Sequence, residues 1–216
     1  MVNPFIRNHQ YNLIKKQTGL LEHACNTVSD RKVIDAVRYS AQSKIMEALP
    51  DTNDLQKQVL EKISTLNTPG EFQHYLSSLV PYMAEFAPLT ESQVKKLFPK
   101  IKKLKVPELA EIDYRYMTYL GWIDIATNKL FIVYHLNGQI VGVVGKYTPA
   151  NKKSYCCLCN RHEEVAFCVV TTKSKPANAS PDYYKAIGKY VCLNSETCNK
   201  NITDVTALEK FIQDVE

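Results

Sequence analysis

Apolar residues recur at helical spacing through the first 86 positions. Tyr11, Ile14, Leu21 and Cys25 form one stripe; Val33, Val37, Ala41, Ile45 and Leu49 form a second with a constant four-residue step; Leu55, Val59 and Ile63 form a third. Phe72, Tyr75, Leu76 and Leu79 make a fourth. The boundaries agree with this count. Thr68, Pro69 and Glu71 supply the N-cap, first-turn proline and returning acid of a capping box, and Asp30 and Asp51 stand where the second and third helices would start. Four helices joined by short polar connections predict a four-helix bundle over residues 1–86.

The pattern then changes. Prolines at 81, 88, 99 and 107 interrupt it, with a short helix expected after Thr90, where Gln93 closes another capping box; the stretch reads as a hinge. Beyond it, "YRYMTYLGWID" and "KLFIVYHL" are aromatic and β-branched, and Asn137-Gly138 joins the second of them to "QIVGVVGKY". Asn-Gly between two such runs predicts a tight hairpin, because a type I′ turn needs positive φ at both central residues. A further strand is expected at Val165–Thr171 and a closing helix at Asp204–Val215, with Val205, Leu208, Phe211 and Ile212 facing inward. The fold class is therefore α+β: a helical bundle, then an antiparallel-sheet α/β domain over residues 87–216.

Candidate chemistry concentrates in "YCCLCNRHEE", residues 155–164. The amino terminus lacks the uninterrupted apolar core of a secretory signal and no window is apolar enough to span a membrane, so a soluble cytoplasmic protein is expected and the sequons at Asn178 and Asn201 carry little weight. In a reducing compartment, clustered cysteines point to metal rather than disulfides, and the odd total of seven fits poorly with full pairing. Cys156 and Cys159 are spaced C-x-x-C; Cys192 and Cys198 form a second pair with five residues between them. A knuckle, a hairpin, and a ligand just before a terminal helix make a treble-clef finger over about residues 150–216, holding one structural Zn²⁺ on four thiolates. Cys157 should turn away, Cys168 belongs to a strand core, and Cys25 is a small apolar residue. His162 competes as a ligand, and buried free thiols or a C-x-x-C redox pair are the alternatives.

Charge separates the halves further. Through Phe86 there are nine basic and nine acidic side chains, so the net +5 arises wholly from the 18 basic and 13 acidic residues beyond it. "KKLFPKIKKLK", with Lys95, Lys96, Lys100, Lys102, Lys103 and Lys105, is either a solvated face or an attraction for RNA, ribosome or an acidic protein. Catalytic patterns are missing from the sequence: no HExxH, GxSxG or GxGxxG occurs, the five histidines are scattered, and "GVVGK" at Gly142–Lys146 reads as a strand rather than a phosphate loop. A binding protein rather than an enzyme is expected.

In order along the chain, "HQYN", the lysine run ending in "KVP", "GWIDIATNK", the C-x-x-C knuckle, "KYVC", and "CNKNITD" leading into "FI" resemble the FusB-type fusidic acid resistance family. The resemblance implies a cytoplasmic two-domain protein whose zinc-bearing domain grips the carboxy-terminal domains of translation elongation factor G; a monomer is expected, although the sequence itself leaves the oligomeric state open. It further implies that the factor is helped off a drug-blocked ribosome, with the drug itself untouched. By position it assigns partner contacts to Tyr155, where the family has phenylalanine, and to Tyr190 and Phe211, the last of which equally fits its helix's inward stripe. A family lysine falls on Ile187; Lys185 and Lys189 lie close enough to retain a basic contact. The competing reading is a zinc-finger module gripping ribosomal RNA.

Overall fold

The computed structural model describes residues 3–172, 180 and 184–216; the sequon at Asn178 lies outside them. The chain divides into two compact units, Met1–Glu85 and Phe86–Glu216.

The first unit holds helices α1 (Asn8–Thr27), α2 (Arg31–Ala48), α3 (Asp54–Glu61) and α4 (Pro69–Leu79) around Ile14, Leu21, Ile45, Leu60, Phe72 and Leu79. Local chemistry sets the ends. Asp30 caps α2 by accepting from Lys32 N, and Thr68 and Glu71 form the reciprocal capping box of α4. Asp51 does not start α3. That cap belongs to Asn53, whose side chain accepts from Gln56 N at 3.0 Å while Gln56 reaches back to Asn53 N. The four-residue stripe of α2 is also only partly buried: Ala41 and Ile45, then Leu49 beyond the helix end, are in the core, whereas Val33 is exposed. A four-residue step overshoots the 3.6-residue turn, so its earliest members rotate off the packed face. Leu55, in the first turn of α3, is likewise exposed.

Much of the proline-punctuated stretch belongs to the second unit rather than to a free hinge. Phe86 N donates to Tyr114 O, and helix α5 (Glu91–Leu97), capped by Thr90 and Gln93, buries Val94. The unit's sheet has the order β1-β2-β3-β6-β7, from β1 (Leu120–Asp124), β2 (Lys129–Leu136), β3 (Gln139–Pro149), β6 (Val165–Thr171) and β7 (Ala186–Cys192), all antiparallel. Asn137 (φ 50°) and Gly138 (φ 79°) make the β2–β3 turn with positive φ at both centres. A separate two-stranded ribbon pairs β4 (Ser154–Tyr155) with β5 (His162–Glu163).

Each sheet face meets a different cover. Against one face pack Leu208, Phe211, Ile212 and Val215 of helix α7 (Thr206–Val215), together with the cysteine-bearing segments. The opposite face, over β1–β3, is covered by Val94 and Phe98, with Trp122 stacked on Phe131 at 4.7 Å and Phe98 edge-on to both rings. Gly142 permits that cover: a Cβ there would sit 2.8 Å from both Leu97 Cβ and Phe98 Cζ. "GVVGK" is thus part of a central strand, and one of its glycines is the seat of α5. Gly142→Ala is expected to destabilise this unit by about 1–3 kcal/mol through forced displacement of Phe98. Thermal melts followed by Trp122 fluorescence check this, since the indole packs against Phe98.

Candidate metal centre

Four sulfurs converge although their segments are far apart in sequence. The ligand atoms of Cys156, Cys159, Cys192 and Cys198 all lie within 4.8 Å of one another, and all four residues are buried. Cys156 Sγ is 3.8 Å from Cys198 Sγ, and Cys159 Sγ is 3.7 Å from Cys192 Sγ. A tetrahedron with Zn–S bonds of about 2.3 Å has edges of about 3.8 Å, so the donor set fits zinc in spacing as well as in softness.

Local geometry presents each ligand. The knuckle turns through Cys156–Asn160: Leu158 N donates to Cys156 Sγ (3.4 Å), Asn160 N to Cys156 O (2.9 Å), and Asn160 takes the left-handed conformation (φ 51°) that asparagine tolerates. Cys157 N donates to Tyr190 O (2.8 Å), which fastens the knuckle to β7, the strand that ends in Cys192. Cys198 does not immediately precede the terminal helix. It lies inside a separate short helix, α6 (Ser195–Asn201), capped by Asn194 accepting from Thr197 N. The chain is extended at Ile202, and Asp204 accepts from Thr206 N (2.7 Å) before α7 begins. A buried Ile202 needs that break, because it anchors the link between the two helices in the core.

A layer of contacts behind the sulfurs was not read from the sequence. The buried Tyr119 hydroxyl lies against Cys198, and burial above all, then its interaction with Cys198, push its pKa well up. Asn199 accepts from Thr118 N (2.7 Å) and Tyr119 N (3.2 Å) and donates to Tyr119 O (2.9 Å), acting as a substitute strand partner; Ser195 Oγ donates to Gly121 O (2.6 Å). These bonds clamp α6 to the approach of β1. A polar residue directly after a ligand cysteine, as in "CNKN", was the one available hint.

The remaining sulfurs stay out. Cys157 has its thiol pushed up to about 12 by burial and then by the neighbouring Cys156, and Cys168, a buried strand residue, is raised to about 11 by burial. His162 is exposed on β5, edge-on to Tyr155 at 5.4 Å. Among the four clustered sulfurs, hydrogen bonds from Cys159, Cys192 and Cys198 hold Cys156 low, as the thiolate, while their bonds to Cys156 push the Cys192 and Cys198 thiols up. Such a set invites a cation, which replaces shared protons with four sulfur–metal bonds. Four thiolates leave no open position for water, so the site is structural.

The sites assigned by resemblance separate by exposure. Tyr155 is 65% and Tyr190 44% exposed, and Lys185 and Lys189 are on the surface. Phe211 is 2% exposed within the core, so it packs rather than contacts a partner. Ile187 pairs with the buried Val170 and points toward the core, a poor position for a lysine head group. No helix among the described residues is long and apolar enough to cross a membrane.

A helical unit followed by a sheet that carries a Cys₄ knuckle, a ligand-bearing strand and a ligand-bearing short helix defines an α+β protein of the treble-clef zinc-finger class. Its family can be stated as plainly. Residues 5–87 match the elongation factor G-binding protein N-terminal model and residues 93–214 the FBP C-terminal treble-clef zinc-finger model, and the chain belongs to this FusB-type family. No curated protein matches the sequence. Among solved structures, the chain is similar to the fusidic acid resistance protein FusC, with 26% identity over 100% of this chain and 99% of that one and a TM-score of 0.80.

Two outcomes follow from the site. Structural zinc contributes on the order of 10–16 kcal/mol in finger peptides, against ~5–15 kcal/mol for the net stability of a whole domain. Cys192→Ser is therefore expected to lose zinc and melt the finger while the helices of Met1–Glu85 stay folded, as elemental analysis and far-UV circular dichroism would report; unchanged metal content and melting would refute it. Asn199→Ala is expected to cost about 1–3 kcal/mol, because two buried backbone N–H groups lose their acceptor. Titration with a competing zinc chelator should show the weakened hold on the metal.

Proposed function

We propose that the protein binds translation elongation factor G through the exposed aromatic surface of its finger-bearing unit and promotes the factor's departure from the ribosome. This would give fusidic acid resistance by protecting the target, with no chemistry performed on the drug. The family model named for elongation factor G binding and the likeness to a fusidic acid resistance protein support the partner. The observation that carries the reading is Tyr190. It is a large aromatic side chain left 44% exposed two residues before a zinc ligand, with its own carbonyl tied to the knuckle.

Physical economy favours this placement. An aromatic ring on a metal-locked strand loses little conformational freedom on docking, and tyrosine is enriched among the residues that dominate interface energy. Tyr155, on the ribbon of the same knuckle, adds a second ring, and Lys185 and Lys189 add positive charge. Release then follows from differential affinity: a partner that binds the free or rearranged factor more tightly than the drug-locked one shifts the equilibrium by that difference and no more. The protein acts as a cytoplasmic monomer in this scheme, gripping the carboxy-terminal domains of the factor.

The lysine run motivates the second reading, contact with ribosomal RNA. Apart from Lys95, which pairs with Glu91 at 2.6 Å, the run is exposed and carries no ion pair among the described residues. Phosphate contacts would make affinity fall steeply with salt, whereas an aromatic-centred protein interface falls less. Tyr190→Ala is expected to weaken association with elongation factor G by at least about tenfold, with zinc content unchanged. Calorimetry on purified proteins at two salt concentrations checks both readings, and unaltered binding removes Tyr190 from the surface.

A further inference from the structure

The sheet of the second unit is covered unequally. Side chains alternate across each strand, so Gly142, Val144, Lys146 and Thr148 of β3 share a face with Phe167, Val169 and Thr171 of β6 and with Ala186, Gly188 and Tyr190 of β7. Over β1–β3 this face lies beneath the α5 cluster. Over β6–β7 three outward positions carry large apolar side chains that are exposed: Phe167 41%, Val169 36% and Tyr190 44%. A half-buried antiparallel sheet ordinarily carries polar residues on its wet face. A contiguous apolar patch in that place marks an interaction site.

The patch is also shaped. Phe167 and Tyr190 are cross-strand partners with rings 5.1 Å apart and tilted by 56°. Beside them Gly188 opposes Val169, and a Cβ on Gly188 would collide with the Phe167 ring. Glycine weakens a strand and buries nothing of its own, so its place here is explained by the ring that lies over it. Charge defines the surroundings. Strands β3, β6 and β7 contain no Asp or Glu, Lys129 and Lys146 lie in the same cross-strand row as Val169, and Lys96 and Lys100 rim an apolar groove of about 500 Å³ where β3 and β6 diverge beyond the Lys146–Val169 pair.

We infer that Phe167, seated over Gly188, extends the partner-binding surface from the knuckle across β7 onto β6, making a docking face for a protein surface whose apolar side chains are flanked by carboxylates. The inference rests on the proposed binding of elongation factor G, which is the occupant. The Cys157–Tyr190 backbone bond makes this face continuous with the one that carries Tyr155. A protein fits better than single-stranded RNA. The two rings pack on each other instead of lying as separate platforms for bases, and an aliphatic valine occupies the neighbouring position.

The test uses the full zinc-loaded chain, purified elongation factor G, and a single-stranded RNA oligonucleotide as the competing probe. Phe167→Ala and Gly188→Ala are each expected to weaken binding of the factor at least about tenfold, the second by displacing the ring alone. Val169→Glu, a surface change that leaves both rings in place, should weaken it comparably by facing carboxylate with carboxylate. Zinc content and melting temperature identify any variant that misfolds, and Val169→Glu then decides. If Tyr190→Ala weakens binding while Phe167→Ala and Val169→Glu do not, the face stops at β7 and the inference is overturned with the proposed function intact. If the unaltered chain does not bind the factor, both fall. Loss of RNA binding by Phe167→Ala with factor binding unchanged would overturn the protein occupant in favour of nucleic acid.

Discussion

Convergence of four sulfurs is the constraint from which the rest of the second unit takes its shape. Cys156 and Cys159 come from a knuckle, Cys192 from the end of an outer strand, and Cys198 from a helix of seven residues. None of these pieces is long enough to be stable alone. Held to one point, they fix the carbonyl of Tyr190 on the amide of Cys157, and with it the orientation of the aromatic side chains nearby. The clamp of Asn199 and Ser195 on the approach of β1 extends the same constraint into the sheet. The partner-binding surface proposed here is therefore a product of metal geometry at one remove.

Much of this was legible in sequence wherever the chemistry is local. Capping boxes at Thr68 and Thr90, the Asn137-Gly138 turn, the strand at Val165–Thr171 and the four ligands each depend on residues a few positions apart, or on one strong spacing. Errors arose where a local signal had a competitor. Asp51 and Asn53 are both good caps, and only Asn53 has a glutamine three residues on to close the box. The short helix that carries Cys198 was missed, and the ligand was placed in the chain leading to α7, because seven residues with a single cap at Asn194 give little periodicity to read.

What sequence could not give is long-range. Tyr119 and Asn199 are 80 positions apart, and nothing in either segment announces the other. Phe211 satisfied two descriptions equally well until its burial decided between them. The unequal covering of the sheet is of the same kind: Phe167 alternates with Cys168 as any strand residue would, and its exposure follows only from α5 stopping at β3. Charge was read correctly as belonging to the second unit, but its arrangement into a lysine-rimmed apolar face required the strand order.

Strand β7 is the last strand of its sheet, and such strands offer unpaired backbone groups to any passing chain. Here the knuckle amide of Cys157 occupies one of those groups at Tyr190. Metal loss therefore does more than loosen a fold. It removes a guard from a strand rich in β-branched and aromatic residues, so that the stripped protein would fail by self-association, in a manner governed by its own concentration.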